Sequence, residues 1–230
     1  MRSLTQSLKA EKIPNERSNG PMRLAKTRKL SPTFDSQLLH LLDAAARVFS
    51  DVGYDRASMR RIATEAELSL AGICHYVASK EELLYWIQIH TFDSLLLGLQ
   101  SCTDGLVDPR ERLSAAVHNH IRHFGDKIHE LGVCARELDA LVGDAYDDVH
   151  DRRRSYFDAV HQVVKGLNSH GARLDSWLAT ANLFGMLNWL YQWYDAKRSP
   201  FSLNDLATQQ TALFLDGYVA PVCRDHKEDK

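Results

Sequence analysis

Ser58-Met59-Arg60-Arg61-Ile62-Ala63-Thr64-Glu65-Ala66-Glu67-Leu68-Ser69-Leu70-Ala71-Gly72-Ile73-Cys74-His75-Tyr76-Val77 reads as two short capped helices and a turn. A serine before a helix accepts a hydrogen bond from a backbone N–H two or three residues on, so Ser58 and Ser69 mark the two starts. Met59, Ile62 and Ala63 point inward from the first segment, 58–66, and Ile73 from the second, which runs to about His75. Glu65-Ala66-Glu67-Leu68 joins them, with Ala66 and Leu68 inward. This is the sequence form of a helix-turn-helix, whose second helix can enter a major groove. Ser69, Leu70, Ala71, Gly72 and His75 would face the bases. That segment is nearly uncharged, so affinity must come largely from phosphate contacts around it. The candidate donors are Ser58, Arg60, Arg61, Tyr76 and Lys80, with the backbone amides at the helix starts. Many helical hairpins share the pattern, so the flanking sequence decides.

On the N-terminal side, residues 36–52 place Leu38, Leu42, Ala45, Ala46 and Phe49 on one helical stripe, and Gly53 stops it. On the C-terminal side, Ser79-Lys80-Glu81-Glu82 is a capping box opening a long helix to about Gln100. Asp108-Pro109 starts another, expected to reach about Glu130. Gly132 and Gly143 then bracket a short helix, 145–170 forms a long one ended by Gly171, 174–196 is apolar on most faces, and Ser202 caps a last helix to about Tyr218. No strand-period segment or Asn-Gly hairpin turn competes with these assignments. The fold class is all-α: an N-terminal three-helix helix-turn-helix domain and a C-terminal helical domain. The expected boundaries are 1–34, a basic flexible arm; 35–82, the DNA-binding domain; 83–221, the second domain; and 222–230, a charged tail.

The formal net charge of −2 hides an asymmetry. Residues 1–34 hold eight basic and two acidic side chains, a balance of +6, so the remainder carries −8. A basic arm on an acidic body suits a polyanion reached by one end only. The arm reads equally as a solubilising tail, and Met22 as an alternative start. A transit peptide would lack Glu11 and Glu16. Neither an 18-residue apolar run nor a secretory signal occurs, and Cys74, Cys102, Cys134 and Cys223 form no CxxC pair. These features place the chain in the cytoplasm with reduced thiols and away from membranes.

Leu42-Asp43-Ala44-Ala45-Ala46-Arg47-Val48-Phe49, Gly53-Tyr54, Ser58-Met59-Arg60-Arg61-Ile62-Ala63, Leu68-Ser69 and His75-Tyr76-Val77-Ala78-Ser79-Lys80-Glu81-Glu82-Leu83-Leu84 together closely resemble the DNA-binding domain of TetR-family transcriptional repressors. The likeness is ungapped over roughly 37–84. It implies an Ω-shaped homodimer on a palindromic double-stranded operator, and a C-terminal domain that releases DNA on binding a small molecule. Four positions depart from the family pattern. Glu67 stands where glycine is usual in the turn, Cys74 where a phosphate-touching tyrosine is usual, Val77 where phenylalanine closes the motif, and Ala71-Gly72 where the glycine comes one residue earlier. Tyr76 and His75 would then carry more of the contact.

In the second domain, Arg152-Arg153-Arg154-Ser155-Tyr156, Gly185-Met186-Leu187-Asn188-Trp189-Leu190-Tyr191-Gln192-Trp193-Tyr194, Ser202-Leu203-Asn204-Asp205-Leu206 and Leu215-Asp216-Gly217 look like the branch of that family that answers acyl-CoA thioesters. An acyl-CoA needs an apolar channel, cations for its phosphates and a flat surface for adenine. Arg153, Arg154 and Lys197 are the candidate cations, and Trp189 and Trp193, one helical turn apart, the candidate surfaces. Each also reads as ordinary surface, core or interface. The helices 174–196 and 202–218 carry more apolar circumference than a monomer surface needs, which points to a homodimer across a twofold axis.

Eleven histidines raise a metal-responsive regulator, or less readily an all-α metal-dependent hydrolase, as the alternatives. His120 and His123 share a helix face, as do His150 and His161, but no HExxH motif accompanies them. Nucleophile elbow, phosphate loop and dinucleotide fingerprint are all missing from the sequence. The reading is a regulator rather than an enzyme, with no catalytic residue, metal site or cofactor.

Overall fold

Ten α-helices and one 3-10 turn make up residues 32–125, 127–167 and 175–218, the residues that the computed structural model describes. The arm before Pro32, the stop at Gly171 with Leu174, and the tail 222–230 lie outside the described residues. No strand occurs among those described.

α1 spans Pro32–Val52, four residues earlier than the apolar stripe marks, because proline fits the first turn of a helix where its missing N–H is not needed. Gly53 ends it at φ +80°, with its N–H on the Phe49 carbonyl at 2.9 Å. α2 (Met59–Glu65), α3 (Leu70–Ile73) and α4 (Lys80–Thr103) follow. Ser58, Ser69 and Ser79 cap them, accepting from the amides of Arg61, Gly72 and Glu82 at 3.2, 2.9 and 3.1 Å. Phe49, Ile62, Ile73, Leu83 and Leu84 form the fully buried centre of this head. The same core takes in Val133, Leu141 and Val149, so the head is seated on the second half of the chain rather than tethered to it.

α5 (Pro109–Gly125) begins as expected, with Asp108 Oδ1 accepting from Arg110 N at 2.9 Å. It does not reach Glu130. The chain turns after Gly125 and resumes as α6 (Ile128–Arg136), with the Lys127 N–H on the Phe124 carbonyl at 3.0 Å. Gly125 lies against the Leu203 side chain, which leaves no room for a Cβ. Gly132 does not end a helix either: it is buried inside α6, with Tyr191 packed over its bare Cα. A 3-10 turn (Leu138–Ala140) leads to α7 (Gly143–Gly166), where Gly143 supplies φ +58°.

The single helix expected over 174–196 is two. α8 (Ser176–Asn188) is capped by Asp175, and α9 (Leu190–Trp193) follows a break at Trp189. The Gln192 N–H bonds back to the Trp189 carbonyl at 3.0 Å, an i to i−3 bond that tightens the path and carries Tyr191 onto α6. α10 (Leu203–Tyr218) opens on a reciprocal cap in which Ser202 Oγ accepts from Asp205 N at 3.1 Å and Asp205 Oδ2 accepts from Ser202 N at 2.9 Å. A second core of Leu113, Ile121, Phe124, Tyr156, Val164 and Leu183 joins α5, α7 and α8. α4 belongs to both cores: Leu83, Leu84 and Ile87 lie in the first, Leu95 and Leu99 in the second. None of the described helices is long and apolar enough to cross a membrane.

Candidate functional site

Two constellations stand out. The first is the surface around α3. Ser69, Leu70, Ala71, Cys74 and His75 are exposed on it, while Ile73 is buried and Gly72 half-buried. The regular helix is one turn rather than the expected 69–75, but tight bonds continue it, with Tyr76 N on the Ile73 carbonyl at 2.8 Å. The turn before it places Glu67 at φ +54°, the conformation in which glycine carries no Cβ penalty.

The proposed phosphate donors divide by what they already hold. Arg60 is exposed on α2, and Arg61 reaches Asp51 Oδ2 at 3.3 Å across an exposed gap that water screens. The Tyr76 hydroxyl donates to Gln37 Oε1 of α1. Lys80 is turned inward: its ammonium faces the carbonyls of Tyr54, Ala57 and Asp55 at 2.7, 3.3 and 3.4 Å and lies 4.2 Å from the Tyr54 ring centre. A phosphate would have to compete with all of them. Arg47, which sequence reading left unassigned, clamps α1 to α2 through Asp43 and through Glu65 Oε1 at 2.7 Å.

The second constellation is a cavity of about 370 Å³, partly open to solvent and lined by residues of α4, α5, α6, α7 and α8. Phe92, Phe124, Phe157 and Phe184 supply aromatic walls. Arg153 and Arg154 both line it. Arg153 is half-buried, donating to the Cys134 carbonyl at 2.5 Å and to Gln88 Oε1 at 3.4 Å, with its guanidinium 5.4 Å from the Phe92 ring centre. Arg154 is exposed and 3.8 Å from Asp158 Oδ2.

Trp189, Trp193 and Lys197 do not line the cavity. Phe184 and Asn188, four apart on α8, share the inward face, and the next residue round the helix, Trp189, is turned outward. Trp193 is exposed beside Tyr194, and Lys197 lies in the exposed turn beyond α9. Trp177 and Leu178 of α8 and Leu213 of α10 are exposed as well.

His120 also lines the cavity and went unassigned in the sequence except as a metal candidate. It is buried, 5.0 Å from the Phe124 ring and stacked on Tyr156, whose hydroxyl lies 3.1 Å from Nδ1. Burial, with the neighbouring His123 adding to it, pushes its pKa down to about 3. Burial likewise raises the Cys134 thiol to about 12, so it is a protonated wall residue. Three other histidines have separate occupations: His118 Nδ1 is 2.8 Å from the Ser114 carbonyl, His161 Nε2 is 3.0 Å from Ser176 Oγ, and His150 stacks on Tyr146. Among the described residues no three His, Cys, Asp or Glu side chains converge on a metal position.

Residues 41–85 match the family described as "Bacterial regulatory proteins, tetR family", and residues 106–218 match "Tetracyclin repressor-like, C-terminal domain". The chain belongs to the TetR family of transcriptional regulators. A TetR-family regulator from Bordetella parapertussis is similar in structure at a TM-score of 0.72 and 28% identity, covering 81% of this chain and 98% of that one. AibR, solved with isovaleryl coenzyme A and operator DNA, shares the fold at a TM-score of 0.67 and 23% identity, over 77% of this chain and 97% of its own.

Among curated relatives, the HTH-type transcriptional activator FasR of Mycolicibacterium smegmatis is 36% identical over 83 residues, 36% of this chain and 38% of FasR. The HTH-type transcriptional regulator HbdR of an Aromatoleum strain is 31% identical over 77 residues, 34% of each chain. The matched part is thus little more than a third of either relative. The two matched domains are those of TetR-family DNA-binding transcriptional regulators.

Proposed function

We propose that the chain is a homodimeric repressor that leaves a palindromic operator when a small molecule, an acyl-CoA thioester, fills the cavity. The observation that carries this is α4. One uninterrupted helix presents Leu83, Leu84 and Ile87 to the core of the reading head, then Phe92 and Leu95 to the cavity wall. A ligand that shifts the middle of α4 therefore changes the seating of α3. Two chains joined by their α8 to α10 surfaces would convert that shift into a change of spacing between reading heads. DNA favours one spacing and the ligand the other, and each then weakens the other's binding by the same factor.

Arg60, Arg61, His75 and Tyr76 with the α3 surface make the DNA contact in this reading. The cavity's aromatic walls suit an acyl chain, and Arg153 and Arg154 suit the anionic part of the thioester. A cavity of about 370 Å³ takes the acyl end and leaves the nucleotide outside. The fold shared with AibR, whose solved complex holds both a coenzyme A thioester and operator DNA, supports the pairing of those ligands.

The test is a titration. The protein is bound to fluorescent DNA taken from beside its own gene, and thioesters and the matching free acids are added. Release by a thioester and not by its acid supports the reading. Specific DNA binding that no thioester disturbs removes the acyl-CoA assignment, and reporter transcription that falls on deleting the gene replaces repressor with activator.

A further inference from the structure

A buried ring nitrogen stands unpartnered in the wall of the cavity. His120 Nε2 has no partner, although the residue is 2% exposed. The Asn188 side chain, in the same wall, lies close enough to favour the charged ring and offset part of the burial, but it falls short of a hydrogen bond to Nε2. Which of the two ring nitrogens carries the proton follows from the contact at the other. The only hydrogen-bond partner described for the Tyr156 hydroxyl is His120 Nδ1, at 3.1 Å. If Tyr156 donates to Nδ1, one bond satisfies both groups and the proton of the neutral ring sits on Nε2. The reverse tautomer would bury the hydroxyl proton of Tyr156 with no acceptor. Burial keeps the ring neutral, and so does His123 on the same helix.

We propose that His120 Nε2–H is the donor that reads an uncharged carbonyl oxygen of the effector, so that the cavity selects an apolar molecule bearing a carbonyl over the corresponding hydrocarbon. The inference rests on the reading of this cavity as the effector site. A carbonyl oxygen fits better than a carboxylate, because the cavity's cations, Arg153 and Arg154, are half-buried and exposed while His120 is enclosed by Phe124, Phe184 and Tyr156. A carboxylate at His120 would be desolvated beside a neutral ring. A bare hydrocarbon would leave Nε2–H unpaired. The arrangement therefore places the uncharged acceptor inside and the anionic group at the arginines. A thioester carbonyl followed by a phosphate-bearing tail meets both requirements.

Two measurements on the full-length protein test this. The first is the histidine tautomer, read from long-range proton–nitrogen correlations of the ¹⁵N-labelled protein near neutral pH, with His120→Phe used to assign the ring. A neutral ring protonated at Nε2 is expected, and protonation at Nδ1 overturns the proposal. The second uses a ligand pair without coenzyme A, the ring ketone α-tetralone and its parent hydrocarbon tetralin, followed by calorimetry. The wild type should favour the ketone by about fivefold, the worth of one ordinary hydrogen bond, and His120→Phe should lose or reverse the preference. Equal binding by the wild type, a preference that survives in the variant, or binding of neither compound would overturn it. Octanoyl-CoA against its S-octyl thioether, run beside that pair, separates the two readings. Ketone preference without any coenzyme A binding leaves the donor in place and removes the acyl-CoA assignment, whereas equal affinity for thioester and thioether overturns the donor and leaves the assignment standing.

Discussion

The Lys80 ammonium lies 2.7 Å from the Tyr54 carbonyl oxygen and 4.2 Å from the centre of the same residue's ring. The first residue of α4 thereby fastens the loop that leads into α2. Tyr54 also packs on Phe49 of α1, with ring centres 5.3 Å apart, so one cation braces three helices of the reading head. Burial raises the Tyr54 hydroxyl to about 12, which keeps that ring neutral under the cation throughout the working range of pH.

Lys80→Met should lower folding stability by about 1.5–3 kcal/mol, the range for hydrogen bonds to a charged group. The slope of log K against log salt for operator binding should stay unchanged, because the ammonium faces carbonyls rather than phosphate. Arg60→Ala should do the reverse, leaving stability alone and reducing the salt slope by about 1. Urea unfolding and fluorescence anisotropy at several salt concentrations measure both. A slope reduced equally in the two variants would return Lys80 to the phosphate contacts.

Glu67→Gly should stabilise the protein. Glu67 holds φ +54°, and a side chain in that conformation costs about 1–2 kcal/mol. The greater freedom of glycine in the unfolded chain takes back about 0.5–1 kcal/mol. The net gain should raise the thermal midpoint by a few degrees, about 2–4 °C per kcal/mol for a chain of this size. Glu67→Val, branched at Cβ, should lower it. The direction in both variants is the check, and a lower midpoint for glycine would show that the Glu67 side chain holds the turn by contacts of its own.

How much of this was legible in the sequence depended on the range of the interaction that decides each feature. Ser58, Ser69, Ser79 and Asp108 cap helices where the sequence put them, because a cap involves neighbours within three residues. The break after Gly125 was not legible, since the side chain packed against that glycine is Leu203, nearly eighty residues on. Gly132 misled for the same reason: its lack of a side chain makes room for Tyr191, which no local pattern records. Arg153 and Arg154 reached the cavity because they share a helix with Tyr156 and Phe157 of its wall. Trp189 and Trp193 did not, and the deciding fact was that Phe184 and Asn188 turn one face of α8 inward. His120 offered a weak signal, a polar residue on the buried stripe of α5 with Val117, Ile121 and Phe124, and that stripe favoured a core histidine over a metal ligand.

Acid should destabilise the protein partly through His120. Its folded pKa is pushed down to about 3 by burial first and by His123 second, below the ordinary value of 6.5. Between those values the unfolded chain binds the extra proton, so this contribution is complete above pH 6.5 and is lost as pH falls toward 3. At pH 5 the loss from this one group is about 2 kcal/mol. Urea unfolding at pH 7.5 and pH 5 should therefore show a smaller drop for His120→Phe than for the wild type, by about that amount. His123, also held down, to about 4, and His90, lowered by burial, remain in both proteins and contribute to the common part of the drop. Equal drops would mean that His120 titrates alike in the folded and unfolded chains.

Leu213→Asp should separate the proposed dimer without unfolding the subunit. Leu213 is 68% exposed on α10, while Ala207, Thr211 and Phe214 of the same helix are buried, so the substitution touches no core contact. Trp177, Leu178, Trp189 and Trp193 are all more than half exposed on the neighbouring helices, a larger apolar area than scattered surface residues need. In a twofold interface every residue counts twice. Losing the burial of two leucines, at about 1.5–3 kcal/mol each, raises the dimer dissociation constant by a hundredfold or more. Sedimentation velocity should show the wild type as a dimer and the variant as a monomer at the same concentration, with helical content unchanged by circular dichroism. Operator binding should weaken with it, because each monomer reads only half of a palindrome. A variant that remains dimeric and keeps its operator affinity would place the interface elsewhere on the chain.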